Sequence, residues 1–153
     1  NLDGRAASDV RNAQAQRLVD RLSAINTSGL PLVIAGDMNS NAAKKYVYDA
    51  PRRVYQGYGL REVFNLAASK VNANYNSFNF LQATPRYGGY RPDQIYVSGK
   101  VSVQYAETMV RLVTKKVKVR KKGRVIKKKV KRYKTPFVSD HSAIRAIVQI
   151  PPY

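Results

Sequence analysis

Leu32-Val33-Ile34-Ala35-Gly36-Asp37-Met38-Asn39-Ser40 is the stretch that decides the fold of this chain. Its four leading apolar residues are too few for a helix, and Gly36 closes the run, so they predict a short, fully buried strand. Upstream, Ala15, Leu18, Leu22 and Ile25 recur at helical spacing, whereas Arg11, Gln14, Arg17 and Arg21 stay polar. Ser8 can cap this helix with Asp9 in its first turn, and Asn26-Thr27-Ser28-Gly29 ends it. A helix running into a covered strand marks an α/β domain.

Working downstream, residues 42–50 predict a short helix before Pro51. A second helix is expected over residues 61–68, with Val63, Phe64 and Ala67 inward. The Asn- and aromatic-rich segment 72–79 reads as loop. Strands are expected over 94–98, 101–109 and 143–150, the last stopped by Pro151-Pro152. No repeat of 20–50 residues is present. A length of 153 residues suits one domain with a real core. No run approaches the ~20 apolar residues of a membrane span. The absence of cysteine excludes disulfides and thiolate-held metals. The chain starts at Asn1 without a methionine, so the compartment stays open.

Three polar signatures fall at the ends of expected strands. Gly36-Asp37-Met38-Asn39 follows one strand; Pro92-Asp93-Gln94-Ile95 and Ser139-Asp140-His141-Ser142 each precede another. Singly, each has an ordinary explanation: Asp and Asn make turns through their own backbone, and a lone histidine is commonly a hydrogen-bonded structural residue. Together they place three aspartates, an asparagine and the only histidine of the chain where strand ends let side chains converge.

In this order the three signatures resemble those of the endonuclease/exonuclease/phosphatase superfamily, also called deoxyribonuclease-I-like. The resemblance covers nearly all of the chain and includes the Arg/Gln-rich helix before the first strand. It implies the C-terminal half of a two-sheet α/β sandwich, with residues 1–153 forming the C-terminal portion of a single domain. It also implies a metal-dependent phosphodiesterase, with roles carried over residue by residue. Asp37 would orient or activate water or protonate the leaving oxygen, and Asn39 would bond the scissile phosphate. Asp93 would fix the tautomer of His141, the general base or phosphate contact. Asp140 would help to hold the metal, Mg²⁺ or Mn²⁺, with Ca²⁺ also compatible. The family's metal-binding glutamate, another histidine and an asparagine lie upstream of the opening helix and have no counterpart here. Glu62 and Glu107, the only glutamates, both follow the first signature. The missing N-terminal half of the domain is therefore expected as a separate chain or further segment, and these residues alone are expected to be inactive.

Charge adds the partner. The formal net charge is +19. Lys115 to Lys134 contain 13 basic residues and no acid, and the rest of the chain is left at only +6. The cations are Lys115, Lys116, Lys118, Arg120, Lys121, Lys122, Arg124, Lys127, Lys128, Lys129, Lys131, Arg132 and Lys134. Valines interleave them and Lys122-Gly123 offers a turn, which predicts a basic β-hairpin insertion over 114–134. Such a segment can be a solvated edge decoration. At this density, without one compensating acid, it is expected to hold the backbone of DNA or RNA with weak sequence preference. Only Tyr133 is aromatic, so base stacking is not a major component. Two alternatives stand beside a nuclease: a catalytically incomplete nucleic-acid-binding relative, and a phospholipid or phosphoinositide phosphoesterase.

Overall fold

The computed structural model describes residues 4–41, 50–134 and 139–152. In order, they form α1 (Gly4–Ile25), β1 (Val33–Asp37), α2 (Ala50–Gly57), β2 (Leu60–Glu62), α3 (Val63–Leu66) and β3 (Ser69–Val71). Then follow β4 (Asp93–Ser98), β5 (Ser102–Thr108), β6 (Leu112–Lys121), β7 (Arg124–Tyr133) and β8 (Ile144–Gln149). Two three-stranded sheets, ordered β1-β4-β2 and β3-β5-β8, carry the body, and β6-β7 form a separate ribbon. No helix among the described residues is long and apolar enough to cross a membrane.

Alternation along β4 explains the layering, because successive strand residues face opposite sides. Tyr96 packs with Ala15, Val19 and Leu22 of α1 and Tyr55 of α2, forming a helix-on-sheet core. Val97 faces the other way and packs with Val63, Phe64, Val103 and Ala106, between the two sheets. The second sheet thus covers the face of the first that the helices leave open. This is an α/β sandwich with two sheets.

Several sequence expectations shift. The first helix starts at Gly4, so Ser8 lies inside it, buried, and does not cap it. Arg5, Ala6 and Ala7 are good helix formers that carry the helix past the capping residue. Its inward stripe is Ala15, Val19 and Leu22, whereas Leu18 and Ile25 are exposed. The first strand runs to Asp37 and is mostly exposed rather than fully buried; Val33 is 45% exposed. It pairs with β4 on one side only, so burial reaches just the face turned to the helices. The expected helix over 42–50 lies largely outside the described residues. Instead α2 starts at Ala50 and holds Pro51 in its first turn, where a missing amide is tolerated. The expected helix over 61–68 splits. Leu60 and Glu62 are buried and Arg61 exposed, an alternation that makes a strand, and only Val63–Leu66 make a helical turn. Val63, Phe64 and Ala67 are nevertheless buried.

Candidate functional site

The register of β1 against β4 sets Asp37 directly opposite Asp93. This pairing follows from the chain itself: the apolar runs 33–35 and 95–97 pair antiparallel, bringing their polar ends to one edge. Beyond that edge the Met38 amide donates to the Pro92 carbonyl at 2.8 Å, and the Asn39 amide donates to Asp37 Oδ1 at 2.8 Å. Asn39 adopts a left-handed φ of 47°, which asparagine tolerates better than most residues. Its residue is exposed beside Asp37.

Gln94 ties the two turns together from beneath. It is buried, donates from Nε2 to the carbonyls of Ser40 (2.6 Å) and Arg91 (3.0 Å), and accepts from the Tyr96 hydroxyl at 2.7 Å. One amide side chain thereby links the Gly-Asp-Met-Asn turn to the strand that starts with Asp93. Arg91 is buried as well; it donates to the Ala73 carbonyl at 2.8 Å and stacks over the Phe64 ring. Its Nε lies 4.0 Å from the Glu62 carboxylate.

The third signature reaches this edge through a loop. Ser142 N–H donates to Ser77 O, Asn79 N–H donates to Asp140 O, and Phe78 bridges His141. Asp93 is held in turn by its amide on Ser77 Oγ at 3.4 Å. The Phe78 ring lies 4.9 Å from the imidazole, centroid to centroid. Next to it Phe80 and Leu81, both exposed, hold left-handed φ angles of 58°. Sequence reasoning classed 72–79 as loop and missed Ser77, Phe78 and Asn79 as supports of the site. The signal was present in Tyr75-Asn76-Ser77-Phe78-Asn79-Phe80, whose amide and aromatic density exceeds what a solvated loop needs.

At the centre, His141 Nδ1 lies 2.8 Å from Asp93 Oδ2, with both side chains partly exposed. Burial opposes the charged ring. The hydrogen bond and charge of Asp93, with the charges of Asp37 and Asp140, outweigh it and raise the pKa above the ordinary histidine value. The structure therefore brings Asp37, Asp93, Asp140 and His141 into one electrostatic neighbourhood. A ring whose Nδ1–H is held by a carboxylate presents Nε2 as a proton acceptor. Asp140 lies at the same edge, yet among the described residues no group of three or more His, Cys, Asp or Glu could hold a metal ion. The donor set is thus incomplete on its own. Glu62 and Glu107 do not complete it: Glu62 is buried near Arg91, and Glu107 binds Arg145 at 2.8 Å.

The basic segment is a ribbon in which all ten residues of β6 pair with β7, from Leu112↔Tyr133 to Lys121↔Arg124. It begins two residues before the expected boundary. Lys122 and Gly123 turn it with φ angles of 46° and 75°, the paired positive values of a two-residue hairpin turn. At its root Tyr133 is buried; its amide donates to the Ala83 carbonyl, and that of Lys134 to Arg111. Burial raises the Tyr133 pKa, opposed by hydrogen bonding with the Ser142 side chain and the Arg86 backbone. The root of the ribbon thus lies beside the residue following His141.

Comparison with known proteins agrees on the architecture. No family model matches the sequence, and no curated protein matches it. Among solved structures, an endonuclease/exonuclease/phosphatase family protein from Bacteroides thetaiotaomicron superposes with a TM-score of 0.62 at 17% identity. That match covers 92% of this chain and 46% of the other. A mannosyl-6-phosphatase from the same organism gives 0.60 at 14% identity, covering 93% and 46%. A conserved Enterococcus faecalis protein of unknown function gives 0.62 at 18%, covering 94% and 46%. The chain has the fold of the endonuclease/exonuclease/phosphatase proteins, and it spans about half the length of these neighbours.

Proposed function

We propose that this chain supplies the general-base half of a phosphoester hydrolase site acting on the phosphodiester backbone of nucleic acid. The observation that carries the reading is the 2.8 Å Asp93–His141 pair, set beside Asp37 and Asp140 at one sheet edge. Asp93 accepts a hydrogen bond from Nδ1–H and fixes the ring, leaving Nε2 to take a proton from an attacking water. In this reading Asp37, on the neighbouring strand, orients that water, and Asn39 offers an amide for a phosphate oxygen. A divalent cation, Mg²⁺ or Mn²⁺ with Ca²⁺ also compatible, would be held by Asp140 with donors from outside these residues and would supply charge neutralisation at the phosphate.

Half-coverage of the neighbours fits a domain completed by a second portion. The exposed apolar residues Val33 on β1 and Ile147 on β8, each on a strand at the end of its sheet, are where such a portion would gain burial. The ribbon favours a polymeric polyanion over a small sugar phosphate or a lipid headgroup, because its cations extend well beyond a single phosphate. The second reading, a relative that binds nucleic acid without turning it over, rests on the ribbon alone.

One experiment separates them. The full-length protein is assayed on labelled DNA and RNA with Mg²⁺ or Mn²⁺, beside Asp93→Ala, Asp140→Ala and His141→Ala. Cleavage that EDTA stops and all three variants abolish supports the hydrolase. Cleavage unchanged in the variants refutes the assignment, and tight binding without cleavage selects the second reading.

A further inference from the structure

The ribbon has two chemically different faces. In an antiparallel pair, directly opposed residues share a side, and side chains two apart along a strand share it too. One face carries Lys116↔Lys129, Lys118↔Lys127, Arg120↔Val125 and Thr114↔Lys131, which puts six cations together with no valine nearer the root than Val125. The other alternates five apolar residues with five cations: Val117 opposes Lys128, Lys115 opposes Val130, and Val119 opposes Ile126. The sequence, in which valines and lysines look evenly mixed, hides this sorting; the register reveals it.

Two features give the six-cation face a direction. Tyr133 opposes Leu112 at its root, in phase with Lys131, Lys129 and Lys127. Tyr133 is also buried at that root beside the Ser142 side chain, next to His141, and its amide is held by the Ala83 carbonyl. The row of lysines therefore starts one two-residue step, roughly 6.8 Å, from the anchor of the candidate site and leads away from it. From the Thr114↔Lys131 rung to the Arg120↔Val125 rung it runs six residues, or about 20 Å. At ~3.4 Å of duplex axis per phosphate on one strand, that length matches about six phosphates.

Like charges directly opposed in a ladder destabilise it. Lys116↔Lys129 and Lys118↔Lys127 are two such pairs on one face, with no acid in the ribbon to relieve them. An anion bridging the rungs removes that repulsion. The tip is Lys121-Lys122-Gly123-Arg124, with no aromatic or long apolar group to enter a bilayer.

We propose that the face bearing Lys116, Lys118, Arg120, Lys127, Lys129 and Lys131 is a rail for the nucleic-acid backbone, which holds the strand on one side of the phosphate presented to His141. The opposite, valine-bearing face makes no phosphate contacts. The nucleic-acid identity rests on the function proposed above, whereas the one-faced geometry rests on the register alone.

The test compares two variants with the same charge loss. Lys127→Gln, Lys129→Gln and Lys131→Gln are combined in one protein; Lys115→Gln, Lys121→Gln and Lys128→Gln in the other. Binding of labelled duplex and single-stranded oligonucleotides is measured in EDTA from 50 to 200 mM salt, so that no turnover is needed. With six contacts the unmodified protein should lose roughly a thousandfold in affinity for duplex over that range. The rail variant should lose only about fortyfold, its salt slope smaller by about 2.7, and the valine-face variant should keep the full slope. Affinity should rise steeply with strand length up to about six phosphates and slowly beyond.

Equal slopes in the two variants would overturn the proposal, as would affinity independent of length. Binding to phosphatidylserine vesicles that outcompetes the oligonucleotides would assign the face to a lipid surface and overturn it as well. A protein without turnover that still shows the face dependence would refute the hydrolase while supporting the rail.

Discussion

Glu62 should make the stability of this protein fall as the pH rises from 5 to 8, and Glu62→Gln should remove that fall. The carboxyl is 1% exposed, and neither oxygen completes a hydrogen bond. Burial lifts its pKa from 4.5 to about 7; Arg91, the nearby amides of Phe64 and Asn65, and Lys70 pull the other way without reversing it. Because the folded-state value is raised above the unfolded one, the native state holds the proton more tightly. The associated stabilisation is fully present below pH 4.5 and is lost as pH passes through about 7. The gap corresponds to on the order of 3 kcal/mol. A glutamine of the same shape cannot ionise, and Arg91 retains the Ala73 carbonyl and the Phe64 ring. Urea denaturation of both proteins from pH 4.5 to 8 measures the effect. The raised pKa of His141 acts in the same direction in both and cancels in their difference. That difference should change by on the order of 3 kcal/mol across the window. A flat difference curve would refute the reasoning. A curve of opposite sign would mean that the ionised Glu62–Arg91 pair, despite its 4.0 Å separation, outweighs burial.

Three further expectations concern the site. If the full-length protein hydrolyses phosphoesters as proposed, the acid limb of its pH–rate profile should lie above the ordinary histidine value, because the general base acts once His141 loses its proton. Asp93→Asn should move that limb to lower pH and reduce turnover by roughly 10²–10⁴, with initial rates across pH 5–9 as the measurement. Gln94→Ala strands the Ser40 and Arg91 carbonyls; at about 1–3 kcal/mol per stranded group it should lower stability by roughly 3 kcal/mol, read from denaturant midpoints. Gly123→Val places a β-branched residue at a φ of 75°, and should reduce hydrogen-exchange protection along the ribbon while leaving that of β4 and β5 unchanged.

Fold and site were readable in the sequence to different depths, for physical reasons. The three signatures were visible because strand ends set polar residues beside apolar runs, after one as with Val33 to Asp37 and before one as with Asp93 to Val97. The hairpin was visible because Lys122-Gly123 supplies the one pair that accepts two positive φ angles amid alternating residues. What sequence did not expose were contacts between distant segments. That Asp37 faces Asp93 depends on a register fixed by apolar pairing, not by either aspartate. That Val19 rather than Leu18 faces the core depends on where α2 and β4 meet the helix. Glu62 looked like an ordinary helical residue; only the strand alternation of Leu60 and Glu62 around Arg61 buries it.

The electrostatics of the two halves of this surface are opposed, and that opposition constrains any mechanism. The charges acting on His141 are all carboxylates: Asp93 in contact, then Asp37 and Asp140. A phosphodiester drawn in by the ribbon would meet a pocket of its own sign. Two carboxylates on directly opposed strand residues already disfavour the bare pocket. Productive binding therefore requires positive charge at the edge itself, from a protonated His141 or from a cation with Asp140 among its donors. The two sources predict different dependences. If the imidazolium supplies the charge, binding of a non-hydrolysable phosphorothioate oligonucleotide in EDTA should tighten as pH falls through the His141 pKa, and His141→Gln should abolish the trend. If a cation supplies it, binding should strengthen on adding Mg²⁺, and Asp140→Asn should abolish the Mg²⁺ dependence. Affinity indifferent to pH, Mg²⁺ and both substitutions would mean that the strand is held by the ribbon alone and never enters the pocket.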